Sequence, residues 1–145
     1  MKSPILLFSL FALVILSSCE REPPPLELER FDVRWYDDDN SGTQTIGDAL
    51  RFDINVNTTD SDPDDQYITE WEFSYFVNNH FGGILQADER VSINSLLVDL
   101  EVYIDNLAVP GPGGLDQGDV VEFRLWCIDN YDTQLEQVHR FVIEE

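Results

Sequence analysis

The sequence predicts an all-β fold, one antiparallel two-sheet sandwich of six to seven strands. Three observations predict it. Apolar and polar residues alternate with period two in short segments between residues 31 and 143. Polar or glycine- and proline-rich turns separate those segments. After residue 18 a strand reading is favoured in every periodic stretch, and the 127 residues that follow suit a single domain with a sizeable core.

The elements follow in order. Residues 5–16 are apolar except for Ser9, too short a run to span a bilayer, and Lys2 precedes them, which reads as a signal peptide over 1–18. Pro23, Pro24 and Pro25 with acidic neighbours make 19–29 an extended tether, and the domain is expected over 30–145. Phe31, Val33 and Trp35 alternate with Asp32, Arg34 and Tyr36 in a first strand. After a polar turn over 37–47, Leu50, Phe52, Ile54 and Val56 alternate with Arg51, Asp53, Asn55 and Asn57. A helix would scatter those four apolar residues, whereas a strand gathers them on one face.

An acidic loop over 58–66 leads to a third strand, with Trp71, Phe73, Tyr75 and Val77 on one side and Glu70, Glu72, Ser74 and Asn78 on the other. Residues 78–83 are expected to turn and 84–93 to supply a short edge strand. Leu96, Leu100, Tyr103 and Leu107 would also line a helix, but Val98, Val102 and Ile104 favour a strand. A loop with Gly111, Gly113 and Gly114 precedes Val121, Phe123, Leu125 and Cys127 on a further strand, and 138–143 make the last.

Removal of the signal takes the one lysine, leaving seven arginines against 29 carboxylates, a formal charge of −22. Such a field repels phosphate backbones, so nucleic acid is excluded as a partner class. With Cys19 committed to lipid as described next, Cys127 has no intrachain partner, and the core alone must hold the fold.

Leu16-Ser17-Ser18-Cys19 resembles the signal of bacterial lipoproteins, in which a leucine three residues before the cysteine and small residues between them direct cleavage before the cysteine. The resemblance implies that Cys19 carries diacylglycerol and that the chain is anchored by lipid. Glu20-Arg21-Glu22 resembles the acidic export signals of Bacteroidota lipoproteins, which implies the outer membrane, on its outer face. The run from Asp60, Asp62, Asp64 and Asp65 through Tyr67 to Trp71 and Phe73 resembles the loop and third strand of polycystic-kidney-disease-type and cadherin-like domains. Gly118-Asp119 and the strand ending at Asp129-Asn130 resemble their penultimate strand. These resemblances imply an extracellular immunoglobulin-like sandwich used for spacing, adhesion or assembly. The glycine-rich turn after the third-strand tryptophan, typical of the kidney-disease type, is missing.

Two acidic loops are candidates for Ca2+. Asp37, Asp39 and Asp48 nearly fit the spacing of a calcium loop, although Ser41 is a weak ligand and Asp48 is shorter than the usual bidentate glutamate. Asp60, Asp62, Asp64 and Asp65 crowd four carboxylates into six residues, and in a sandwich they project from the same end as Asp129. This second loop is the favoured cation site; solvated turns are the alternative for both.

Trp126 and Phe76 lie out of phase with the core-facing residues of their strands, as aromatic residues that bind a sugar or a protein would, unless a loop or the tether covers them. His80 and His139 stand alone, and no zinc, nucleophile-elbow or phosphate-loop motif is present. The expectation is a membrane-anchored, non-enzymatic binding, adhesion or accessory subunit of an outer-membrane assembly, with a carbohydrate-binding module of a glycan-uptake system as the alternative.

Overall fold

The computed structural model describes residues 22–60, 62, 64–109, 111 and 113–144; Leu16, Ser17, Ser18 and Cys19 lie outside the described residues. Period-two sequence becomes seven strands: β1 (Leu26–Tyr36), β2 (Ala49–Thr58), β3 (Ile68–Val77), β4 (His80–Ile93), β5 (Ser95–Tyr103), β6 (Val120–Asp129) and β7 (Gln134–Val142). They form two antiparallel sheets, ordered β1-β2-β5 and β4-β3-β6-β7. This is the immunoglobulin-like sandwich expected, with three strands facing four. In constant-type domains the fourth strand joins the first sheet; here β4 stays beside β3.

The inward residues of β2, Leu50, Phe52, Ile54 and Val56, are all buried, as are Trp71, Phe73, Tyr75 and Val77 on β3 and Val121, Phe123, Leu125 and Cys127 on β6. Phe52 is the hub: its ring meets Phe73 edge-on at 5.0 Å and Phe123 at 4.7 Å, with Phe31 and His139 further out. Burying several such side chains contributes roughly 2 kcal/mol apiece, which offsets the ordering of the chain without a disulfide.

Four boundaries differ from the sequence reading. The first strand begins at Leu26, so that residues 26–28, expected in the tether, pair with the end of β2, and Glu29 sits in a bulge before Arg30. Leu26 is itself buried. The turn expected over 78–83 is only Asn78-Asn79, both at positive φ (51° and 65°), the conformation that lets a two-residue hairpin follow the strand twist. β4 then runs 14 residues, past Gly82 and Gly83. A Cβ on Gly82 would lie 2.2 Å from the Tyr75 ring, so only glycine lets the backbone cross that buried tyrosine. The stretch 95–107 is a strand to Tyr103 and then a single 3-10 turn at Ile104–Asn106. β7 starts four residues early, at Gln134, because polar Gln134, Glu136 and Gln137 pair with β6 without adding to the core.

One residue carries the chain from sheet to sheet. Ile93 still pairs with Ile68 on β3, while Ser95 already pairs with Asn57 on β2; Asn94 lies between them. Its carbonyl accepts from the Thr58 amide at 2.9 Å, and its side-chain amide donates to the Gln66 carbonyl at 2.6 Å.

Candidate functional site

The strand order sorts the acidic loops to opposite ends of the sandwich. The start of β1, the β2–β3 loop, Asn94 and the β6–β7 turn share one end; the β1–β2 loop, the Asn78-Asn79 turn and the β5–β6 connection share the other.

At the first end the sequence placed Asp60, Asp62, Asp64, Asp65 and Asp129 together. The loops do meet. Asn130 donates its side-chain amide to the Asp65 carbonyl at 2.9 Å, and its Oδ1 accepts from the Tyr67 amide at 2.9 Å. Asp129, however, is only 1% exposed, and both of its oxygens are engaged. Oδ1 accepts the Tyr131 and Thr133 amides at 2.9 and 2.8 Å, and Oδ2 accepts Gln66 Nε2 at 2.8 Å. Asp60 and Asp62 each cap the amide two residues on, at 3.1 and 3.0 Å, so these carboxylates space the loop out. They form no convergent carboxylate group with Asp64, Asp65 or Asp129 among the described residues.

Gln66, which the sequence reading passed over, organises this end. Its side chain is fully buried, with Oε1 accepting the Thr59 and Asp60 amides at 2.9 and 3.0 Å. Nε2 donates to the Pro24 carbonyl at 2.8 Å as well as to Asp129. A glutamine beside an acidic run carries no periodic signal; the only clue was an uncharged amide between four aspartates and a strand.

At the other end Asp37, Asp39 and Asp48 each bring a carboxylate oxygen within 4.8 Å of the other two. The β1–β2 loop folds back because Asp48, fully buried, gathers it: Oδ1 accepts the Asp38 amide at 3.1 Å, and Oδ2 accepts the Thr45 amide at 2.8 Å and Trp35 Nε1 at 2.9 Å. Trp35, on the same side of its strand as Phe31 and Val33, is 37% exposed, with its indole N–H serving the loop. Asp37 caps the Ser41 and Gly42 amides at 2.9 and 3.0 Å. The Thr45 hydroxyl, donating at 2.5 Å, then the Ser41 side chain and amide hold the Asp39 carboxyl at about 2, well below its ordinary 3.8. An all-oxygen set of this kind suits a hard cation.

The aromatic residues occupy the outer face of the four-stranded sheet. Phe76 is half-buried, and its cover is neither loop nor tether: the Arg124 guanidinium lies 4.4 Å from its ring centre, and Phe81 meets it edge-on at 5.6 Å. Arg124 is held in turn by Glu122 at 2.6 Å and Glu136 at 3.1 Å. Register places Ile84 and Val138 on either side of the Ser74–Arg124 pair, and Trp126 beside Glu72 and Glu136. Phe81 is 53% exposed and Ile84 55%. The sequence hid this part, because Phe81 and Ile84 fell where a turn and its exit were expected.

The histidines do not combine with these groups. His80 Nδ1 lies 3.0 Å from the Asn78 carbonyl, while His139 faces the Phe52 and Phe141 rings, where burial lowers its pKa. Cys127 is buried, and desolvation pushes its thiol up to about 11.

No family model and no curated protein matches the chain. Among solved structures it is similar to a β-glucuronidase of Parabacteroides merdae, at 10% identity and a TM-score of 0.42, over 83% of this chain. The chain spans 14% of the length of that enzyme, and the similarity bears on neither activity nor ligand.

Proposed function

We propose that this chain is a lipid-anchored outer-membrane lipoprotein, facing the cell surface, whose sandwich binds a protein partner without catalysing a reaction, as an adhesion or accessory subunit of a membrane assembly. Leu16, Ser17, Ser18 and Cys19 support the anchor, and Glu20-Arg21-Glu22 the surface. Kinship with polycystic-kidney-disease-type and cadherin-like domains belongs to the same proposal, supported by the acidic loop that leads into Trp71 on β3.

The observation that carries the binding reading is the outer face of the β4-β3-β6-β7 sheet. Phe81, Ile84, Phe76, Val138 and Trp126 surround an arginine, and Glu70, Glu72, Glu122 and Glu136 lie among them on the same face. Aromatic residues and arginine at the centre of a patch with a polar rim are the composition of an interface that buries against protein. The Phe76 ring is covered on one face by Arg124 and contacted at its edge, so it is not free for a sugar to stack on both sides. The acidic rim favours a partner with a basic border. A weakly held calcium ion at Asp37, Asp39 and Asp48 is part of the proposal.

The test is purification of the lipidated chain from native membranes beside a Phe81→Ser, Ile84→Ser variant. The proposal expects a stoichiometric protein subunit that the double variant loses. Retention of glycans on an array, abolished by Trp126→Ala, with no subunit recovered, would replace it with the carbohydrate-binding reading.

A further inference from the structure

Where a tethered domain meets its membrane depends on where the tether leaves it, and here strand pairing and a buried amide fix that point. Gln66 Nε2 binds the Pro24 carbonyl at 2.8 Å and approaches that of Pro25 at 3.4 Å, while the Thr59 hydroxyl donates to the Pro25 carbonyl at 2.7 Å. Gln66 is fully buried, so releasing Pro24 would leave a donor without water to replace it. The tether is therefore docked up to Pro24 rather than free as far as residue 29. Only five residue steps separate Pro24 from Cys19, a reach of at most about 18 Å even when fully extended. The strands that lead to the opposite end are about ten residues long, or roughly 33 Å.

The docked end has two further properties. Tyr131, at the tip of the β6–β7 turn, is 43% exposed, and tyrosine is the amphipathic side chain that settles at headgroup level. Asp62, Asp64 and Asp65 are exposed on the neighbouring loop, with Asp60 beside them. Their charge repels anionic lipid and complements ammonium groups.

This inference rests on the lipid anchor proposed at Cys19. We infer that the end formed by loop 59–67, Asn94 and turn 130–133 is the membrane-facing surface of the domain. It is seated on a zwitterionic aminophospholipid headgroup layer, with Tyr131 among the headgroups and the Asp60, Asp62, Asp64 and Asp65 carboxylates opposite their ammonium groups. Pairing of β1 from Leu26 fixes where the tether leaves the domain, and Gln66 latches its last two residues, Pro24 and Pro25, against that end. The β1–β2 loop with Asp37, Asp39 and Asp48 then points away from the membrane, and the aromatic sheet face is presented sideways.

The experiment uses the lipidated full chain on vesicles of phosphatidylethanolamine and phosphatidylcholine, with a nitroxide quencher on the headgroups. A fluorophore is placed on Asp64→Cys, at the docked end, or on Asp105→Cys, at the far end; buried Cys127 stays unlabelled. Quenching several-fold stronger at position 64 than at 105 is expected. The ratio should fall toward one when a Gly-Ser stretch is inserted between Glu22 and Pro23, and fall by less in Gln66→Ala, which frees only Pro24 and Pro25 ahead of β1. The insertion variant carries the test if Gln66→Ala folds poorly. Equal quenching at the two positions of a vesicle-bound, lipidated chain overturns the orientation and leaves the anchor standing. A chain that does not float with vesicles and whose mass shows an unmodified Cys19 overturns the anchor, and this inference with it.

Discussion

Each end of the sandwich is closed by one buried aspartate that gathers amides, yet among the described residues only one end brings several carboxylates together. Asp48 and Asp129 play the same part: each accepts two backbone N–H groups and a short side-chain bond, from Trp35 Nε1 for Asp48 and Gln66 Nε2 for Asp129, and the Thr45 hydroxyl adds a longer one to Asp48 at 3.4 Å. The difference lies in the neighbouring acids. Around Asp48 the loop curls back and delivers Asp37 and Asp39, whereas around Asp129 the acids at 60–65 are strung along a loop whose own caps keep them apart. Charge per length of sequence pointed to the second loop; convergence is found in the first. Repulsion between crowded acids is relieved as well by turning each one toward its own amide as by a shared cation.

The largest effect expected is loss of either closing aspartate. Asp129→Ala and Asp48→Ala should each cost about 3 kcal/mol in urea melts, because each removes a buried acceptor that serves at least three donors. A cost below about 1 kcal/mol for one of them would show that its end is held by packing alone, and the parallel between the ends would be lost. Gln66→Ala comes next, at about 2 kcal/mol, and it should act at one end only. Hydrogen exchange should quicken at the Thr59 and Asp60 amides and stay unchanged at Ser41 and Thr45. Quickening at both ends would mean global loosening instead of a local latch.

Calcium sharpens the contrast further. At about ten times a dissociation constant of roughly 10⁻⁴ to 10⁻³ M, stabilisation of about 1.4 kcal/mol is expected against a sodium control of matched ionic strength. Asp39→Asn should abolish that gain and Asp64→Asn should keep it. The opposite pattern would return the cation to the 60–65 loop, and an unshifted midpoint would leave both loops as solvated turns. The smallest effect concerns pH. Asp39 has a folded pKa of about 2, below its unfolded value. Its contribution is therefore complete above the unfolded carboxylate value near roughly 4 and is lost as pH falls toward about 2. Thr45→Val removes the first cause of the shift, so titration of Asp39 followed by NMR should move back toward the ordinary value. An unmoved titration would assign the shift to Ser41, whose side chain and amide both lower it.

Strands that bury one full face were plain in the sequence. Those of β2, β3 and β6 alternate cleanly because every second residue enters the core. β4 was blurred because it lies at a sheet edge and is bulged: the register slips at Leu85 and Gly82, so its apolar residues lose phase. The start of β1 was masked by the prolines before it and by its acids, and what makes it a strand is pairing with the distant end of β2. The carboxylates of both loops were visible as residues, but which of them converge depends on Asp48 being buried and on Trp35 and Thr45 turning toward it. Those contacts are tertiary and leave no local pattern. Phe76 and Trp126 could be singled out by phase alone, whereas Arg124, which lies over the Phe76 ring, could not.

The irregular path of β4 has a consequence for crowding. An edge strand of 14 residues presents unpaired amides and carbonyls that could template the edge of a neighbouring molecule. Three register shifts interrupt its pairing with β3, Arg90 adopts a positive φ of 61°, and Asp88, Glu89 and Arg90 stand exposed along it. No long straight ladder can zip onto such an edge without burying a charge or skipping a bond. Copies crowded together, whose edges meet often, can therefore jostle side by side without polymerising through their backbones.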